Sequence, residues 1–148
     1  MAEYNYSVKG LDPEHSAHAV GRNLNISTKQ SVEISKFIRN KNLQRAKTML
    51  KEVMGMKLAV PFTRFNTDVG HKTKIGPGRY PIKACTILLA LLDSVENNAQ
   101  VKGLNTGDLI LKHIIPQKAA QEYRHGRRYG RRMKRTHVEV VVEEKKND

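Results

Sequence analysis

The chain has no tryptophan, one cysteine and an aromatic content of only 5%. With a single thiol, Cys85, an internal disulfide and a cysteine-only metal cluster are both excluded within one chain. Cys85 sits in the apolar stretch Ile82 to Leu92, which points to a buried, inert thiol rather than a nucleophile. Few aromatics and a hydrophobic content of 39% leave few large core anchors, so part of the single domain expected over residues 1–148 should lie outside its core. Long apolar runs are missing as well. The longest, Ile87 to Leu92, is too short to span a bilayer, and the opening MAEYNYSVKG lacks the apolar core of a secretion signal. A soluble, cytoplasmic protein without membrane insertion is expected.

The groupings that carry catalysis or metal binding are absent too. No His-Glu-x-x-His motif, paired cysteines or aligned acids accompany the six histidines. His15 and His18 lie near Asp12 and Glu14 but in an irregular segment, where structural or solvent roles fit better. Gly76 and Gly78 make no phosphate-binding loop, because Pro77 intervenes and no Gly-Lys-Ser/Thr follows. The expectation is a protein with no metal, no cofactor and no enzymatic activity.

What the chain has is positive charge: 27 Lys and Arg against 14 Asp and Glu, a formal +13. Nine of these cations fall between Lys112 and Arg135, answered by Glu122 alone, so the window carries nine minus one, or +8. They are Lys112, Lys118, Arg124, Arg127, Arg128, Arg131, Arg132, Lys134 and Arg135. Like charges at this density repel and are relieved by counterions or a polyanion, which points to nucleic acid. The window is rich in Arg, whose planar fork bridges phosphate oxygens. It is broken by Gly126 and Gly130 and flanked by Tyr123 and Tyr129. Either glycine could permit close RNA approach or be an ordinary turn glycine, and either tyrosine could stack on a base or pack across the chain.

Around this window the sequence reads as an α+β domain. A strand interrupted by Gly21 is expected over Ala17 to Ile26. Ser27 with Gln30 has the form of a capping box, opening a helix that carries Val32, Ile34, Phe37 and Ile38 as far as Arg39. Leu43, Ala46, Met49, Leu50 and Val53 form the apolar stripe of a second helix ending near Gly55. From Pro61 to Pro81 periodicity disappears, and a long basic loop (61–81) carries Arg64, His71, Lys72, Lys74 and Arg79. A third, most hydrophobic helix runs from about Pro81 to Ala99 and is expected at the core centre. Leu109 to Ile115 suits a strand, and Thr136, Val138, Val140 and Val142 alternate with His137, Glu139, Val141 and Glu143 in another. Two strands bracketing the cationic window predict a long, protruding basic β-hairpin over about 109–137, marginal by itself and ordered by whatever it penetrates.

Several ordered motifs resemble one family. Val60-Pro61-Phe62-Thr63-Arg64-Phe65-Asn66, Val69-Gly70-His71-Lys72, Gly78-Arg79-Tyr80-Pro81, Lys102-Gly103-Leu104, Tyr129-Gly130-Arg131 and the tail Thr136 to Val142 are similar to the large-subunit ribosomal protein twenty-two family in its archaeal form. The resemblance implies three helices packed on a small antiparallel sheet, with a long hairpin inserted through ribosomal RNA to the peptide exit tunnel. It implies binding to large-subunit ribosomal RNA, a role in subunit assembly, and neighbouring ribosomal proteins and the nascent polypeptide as further partners. Gly130 and Arg131 match the family's Gly-Arg pair near the tip, with Arg127 and Arg128 in the basic stretch before it. Arg64, His71, Lys72 and Arg79 match the insertion of archaeal and eukaryotic members. The RNA-binding set expected is thus Arg64, His71, Lys72, Lys74 and Arg79 with the nine window cations, and His125, Gly126, Arg127 and Arg128 are expected to face the tunnel. The alternatives are a free-standing nucleic-acid chaperone and an RNA-processing enzyme, the latter needing His71 or His125 beside an activating partner.

Overall fold

In the computed structural model, which describes residues 4–145, two small antiparallel sheets and three helices form an α+β fold. Strand β1 (Ser16–Leu24) leads to helices α1 (Thr28–Ile38) and α2 (Leu43–Met54). Short strands β2 (Val60–Pro61), β3 (His71–Lys72) and β4 (Gly76–Arg79) precede the long helix α3 (Ile82–Val101), and the hairpin strands β5 (Leu109–Lys118) and β6 (Thr136–Glu144) close the chain.

The main sheet has the order β1-β6-β5. Central β6 is the most valine-rich strand, as expected where both edges are paired. Its pairing with β5 runs from Leu109 opposite Glu144 to Lys118 opposite Thr136, with one irregularity between Leu111 and His113 that leaves Lys112 bulged outward. On its other edge Ala19 faces Val140, and the register shifts between Gly21 and Leu24. A Cβ on Gly21 would lie 2.7 Å from the tip of the Leu24 side chain, which would have to shift to admit it.

The helices cover one face of the sheet. α3 lies against β1, α1 against β5, and α2 packs on α3. Ala84, Cys85, Leu88, Leu92, Val95 and Ala99 recur at intervals of about one turn on α3 and are all buried. Burial pushes the Cys85 thiol up to about 12, so it stays protonated and packs as an apolar group. The free edge of β1 is blunted by α3: Asn98 donates to the His18 carbonyl at 2.8 Å and Lys102 to that of Ser16 at 2.8 Å. The opposite face of β6 is covered too. Glu139 is buried there and accepts hydrogen bonds from Tyr4 Oη (2.8 Å), Ser7 N (3.0 Å), the Ser7 hydroxyl and Gln117 Nε2 (3.1 Å). Burial alone would raise its pKa, but the bonds from Ser7, Tyr4 and Gln117 outweigh it and hold the carboxyl below the ordinary glutamate value.

Two local expectations are corrected. The capping box at Ser27 and Gln30 does not form, because Ser27 makes no side-chain bond to the first turn of α1. Instead its carbonyl accepts from Ser31 N and Ser31 Oγ, while neighbouring Thr28 Oγ1 meets Thr136 Oγ1 at 2.8 Å and ties α1 to β6. The basic loop of 61–81 contains structure: β2, β4 and β3 pair in that order as a miniature ribbon. Its glycines and prolines hide any period of two, and a Cβ at Gly78 would come within 2.9 Å of the Ile75 side-chain tip and 3.1 Å of Lys72, so these side chains would have to shift to admit one. No described helix is long and apolar enough to cross a membrane.

Candidate nucleic-acid interface

Beyond Lys118 the two hairpin strands continue as a looser ribbon. Ala119 N donates to Arg135 O, Met133 N to Glu122 O and Arg124 N to Arg131 O, and Tyr123 bridges to Arg132. The chain reverses through a short 3-10 turn at Gly126–Arg128. Gly126 and Gly130 have φ of +66° and +81°, so both hold left-handed turn geometry that a side chain would strain. Ala119 is the one residue between Lys118 and Thr136 that is buried. This end of the molecule therefore adds charge and almost no core.

The tyrosines divide. Tyr123 packs across the ribbon: the Arg132 guanidinium lies 5.0 Å from its ring centroid and Nη2 donates to its hydroxyl at 2.7 Å. Tyr129 is 81% exposed, which leaves its ring available for stacking.

The cations of the window differ in what answers them. Arg135 pairs with Glu122 at 3.4 Å. Lys112 pairs with Glu143 at 3.1 Å and lines a hollow with Asp12, Glu143 and Glu144, an acidic neighbourhood far along the strand from the turn. Lys118, Arg124, Arg127, Arg128, Arg131, Arg132 and Lys134 have no carboxylate partner among the described residues and are all exposed. His125 is exposed at the turn.

In the ribbon of 61–81, Arg64, His71, Lys74 and Arg79 are exposed and Lys72 is half-buried. Aromatic rings hold three of these cations: Arg64 lies 5.4 Å from Phe65, Lys72 5.2 Å from Tyr80 and Arg79 5.9 Å from Phe62. Arg79 also donates to the Asp68 carbonyl at 2.9 Å. The start of the ribbon is fixed from below by Glu33, a buried carboxylate on α1 that the sequence reading passed over. It accepts from the backbone N–H groups of Thr63 (3.2 Å), Arg64 (2.8 Å) and Phe65 (2.8 Å), and from Thr63 Oγ1 (3.3 Å). Burial alone would push its pKa up, yet these bonds outweigh that effect and hold it below the usual glutamate range.

The ribbon and the hairpin base meet at the N-terminal end of α1. Arg64, Arg79 and Lys134 line one cleft there, of about 270 Å³. Lys29, Phe65, Lys118 and Lys134 line a second of about 450 Å³, and Lys83, Arg124, Arg132 and Lys134 a third of about 300 Å³. Thus six cations singled out in the sequence converge, while His71, Lys74 and the turn arginines stand apart. Lys29 and Lys83 join them without having been singled out, because a single cation on a helix surface carries no distinguishing signal.

The geometry offers cations without acids to accept a proton. Neither His71 nor His125 makes a side-chain hydrogen bond among the described residues, and no three His, Cys, Asp or Glu side chains there converge as metal ligands would.

Residues 19–143 match the sequence profile of the family described as ribosomal protein L22p/L17e. The chain belongs to that family. It is 39% identical to the large ribosomal subunit protein uL22 of the archaeon Thermofilum pendens over 150 aligned residues, covering 97% of this chain and 99% of the relative. It is 40% identical to the protein of the same name from Methanococcus aeolicus, with the same coverage, and 42% identical to that of Nanoarchaeum equitans over 90% of this chain and 82% of the relative. Within the L22 family the chain thus takes the archaeal form. Both the ribbon of 61–81 and the basic hairpin lie inside the matched region.

Proposed function

We propose that this chain is a structural constituent of the large ribosomal subunit that binds large-subunit ribosomal RNA, contributes to subunit assembly, and works in the cytoplasm beside neighbouring ribosomal proteins, without enzymatic chemistry. The observation that carries this reading is the pairing of L22 membership with a hairpin end that has seven exposed cations lacking carboxylate partners among the described residues. Such a segment gains little by folding alone and much by docking on phosphates, where each neutralised phosphate releases condensed counterions. Arg127, Arg128 and Arg131 at the turn, with Lys118 and Lys134 at the base, grip the backbone, while the ribbon cations Arg64, His71, Lys72, Lys74 and Arg79 supply a second contact surface. The turn itself, His125 to Arg128, lies at the extremity of the hairpin and lines the polypeptide exit tunnel, next to the nascent chain.

The reading is tested by replacing Arg127, Arg128, Arg131 and Arg132 with Ala and measuring affinity for purified large-subunit RNA against salt. Each lost phosphate contact should reduce the slope of log K against log salt by roughly 0.7 to 0.9. An unchanged slope and affinity would remove the hairpin from RNA binding.

A further inference from the structure

Three clefts open around the N-terminal end of α1, and all three share two wall residues, Ser27 and Lys134. They differ sharply from the hollow around Lys112. That one is lined by Asp12, Glu143 and Glu144, whereas no carboxylate lines any of these three. Their cations come from four separate parts of the chain: Lys29 from α1, Arg64 and Arg79 from the ribbon of 61–81, Lys83 from α3, and Lys118, Arg124, Arg132 and Lys134 from the hairpin. None has a carboxylate partner among the described residues.

We infer that this confluence is a composite phosphate seat, in which one stretch of RNA backbone is held simultaneously by the body, the ribbon and the hairpin base. The inference rests on the RNA-binding reading above and adds where the modules of the chain are joined. Like charges gathered from distant parts of a sequence raise the free energy of the unliganded fold, and the strain is relieved by an anion at their centre. Two features build the seat before any ligand arrives. Phe65 draws the Lys29 ammonium to 5.5 Å and the Arg64 guanidinium to 5.4 Å from the same ring, so both charges are held at one point. Glu33 fixes the Phe65 and Arg64 backbone and spends its oxygens on N–H groups, leaving the side-chain cations unanswered. The first turn of α1 contributes in the same sense, since it has no acidic residue and no cap from Ser27.

The occupant is phosphate rather than base. Phe65 is already engaged by two cations and the buried Phe62 ring by Arg79, and the remaining walls of these two clefts are Lys, Arg, Ser, Thr and Gln, donors suited to phosphate oxygens. A backbone seated here would lock the hairpin base against the ribbon, so that both basic surfaces dock as one unit.

The test is a double-mutant cycle on the full chain with purified large-subunit RNA, comparing Lys29→Ala, Lys134→Ala and their combination with Arg128→Ala at the turn. Lys29 and Lys134 are exposed, so the fold should tolerate both changes, and Lys134→Arg serves as a charge-preserving control expected to bind like the parent. Each single Ala variant should lower the salt slope by about 0.7 to 0.9, and Lys29→Ala with Lys134→Ala should lose less than the product of the single losses. Arg128→Ala should multiply with either. Affinity and slope unchanged in Lys29→Ala and Lys134→Ala, with Arg128→Ala weakened, would overturn the seat while leaving RNA binding intact. No effect in any of the three would overturn both. Equal losses on duplex DNA would make the cleft a general polyanion site and overturn its assignment to RNA.

Discussion

Glu33 on α1 holds Arg64 by its backbone and leaves its side chain free: the Arg64 N–H donates to Oε1 at 2.8 Å while the guanidinium lies over Phe65. A buried acid thereby shapes a basic surface without neutralising it.

Glu33→Ala should destabilise the fold by about 1 to 3 kcal/mol, the usual cost of leaving buried donors without their acceptor, and should loosen the start of the ribbon. Acid should act on the same contact. Glu33 and Glu139 both have folded pKa values below the ordinary one, so their stabilisation is complete above the unfolded value, about 4.3, and is lost as pH falls through the lower folded values. The melting temperature should therefore drop on acidification through that range. Glu33→Gln should show a shallower drop, with the Glu139 contribution remaining. A melting temperature independent of pH below about 5 would contradict this linkage.

Val140 is fully buried on β6 between Ala19 and Ile114, so Val140→Asp should cost roughly 2 to 4 kcal/mol through an unpaired buried charge. His137 is only half-buried, and its Nδ1 accepts from Asn23 N at 3.1 Å. His137→Gln should change stability by less than about 1 kcal/mol. Chemical denaturation of both variants checks the contrast.

The looser ribbon of 119–135 has three backbone bonds across it and little apolar surface to offset the entropy of ordering. Its amides in the free protein should exchange much faster than those of Val138 to Val142, and RNA should slow them. Strong protection across Tyr123 to Arg132 before RNA is added would show that the segment orders itself.

Deleting His125 to Arg128 should spare incorporation into large subunits, because the hairpin base, the ribbon and the α1 cleft keep their cations, yet change the cross-linking of nascent peptides inside the tunnel. Complete loss of incorporation would assign the turn to docking. An unchanged cross-linking pattern in assembled ribosomes would place it away from the tunnel.

The helices and the main sheet were legible because their patterns are long. Ala84 to Ala99 repeats its apolar face over several turns, and Thr136 to Val142 alternates cleanly enough to predict a strand. The ribbon of 61–81 was hidden for the opposite reason: its strands are two to four residues long and contain Gly76, Pro77 and Gly78, which erase any alternation. Ser27 misled because a capping box is only a spacing, and here the serine carbonyl bonds to Ser31 while its side chain makes no cap. Of the site, the charge was visible and its convergence was not. Lys29, Lys83 and Lys134 are 105 positions apart at most, and only the fold brings Lys29 and Lys83 to clefts that share Lys134.

The central claim, a structural role in the large subunit, is tested most directly by sedimenting a tagged chain from cell extract through a gradient at moderately high salt. The account predicts that it migrates with large ribosomal subunits, since contacts gathered from hairpin, ribbon and cleft should together survive screening that strips single-patch binders. Migration as free protein, or spread across generic DNA and RNA, would contradict it.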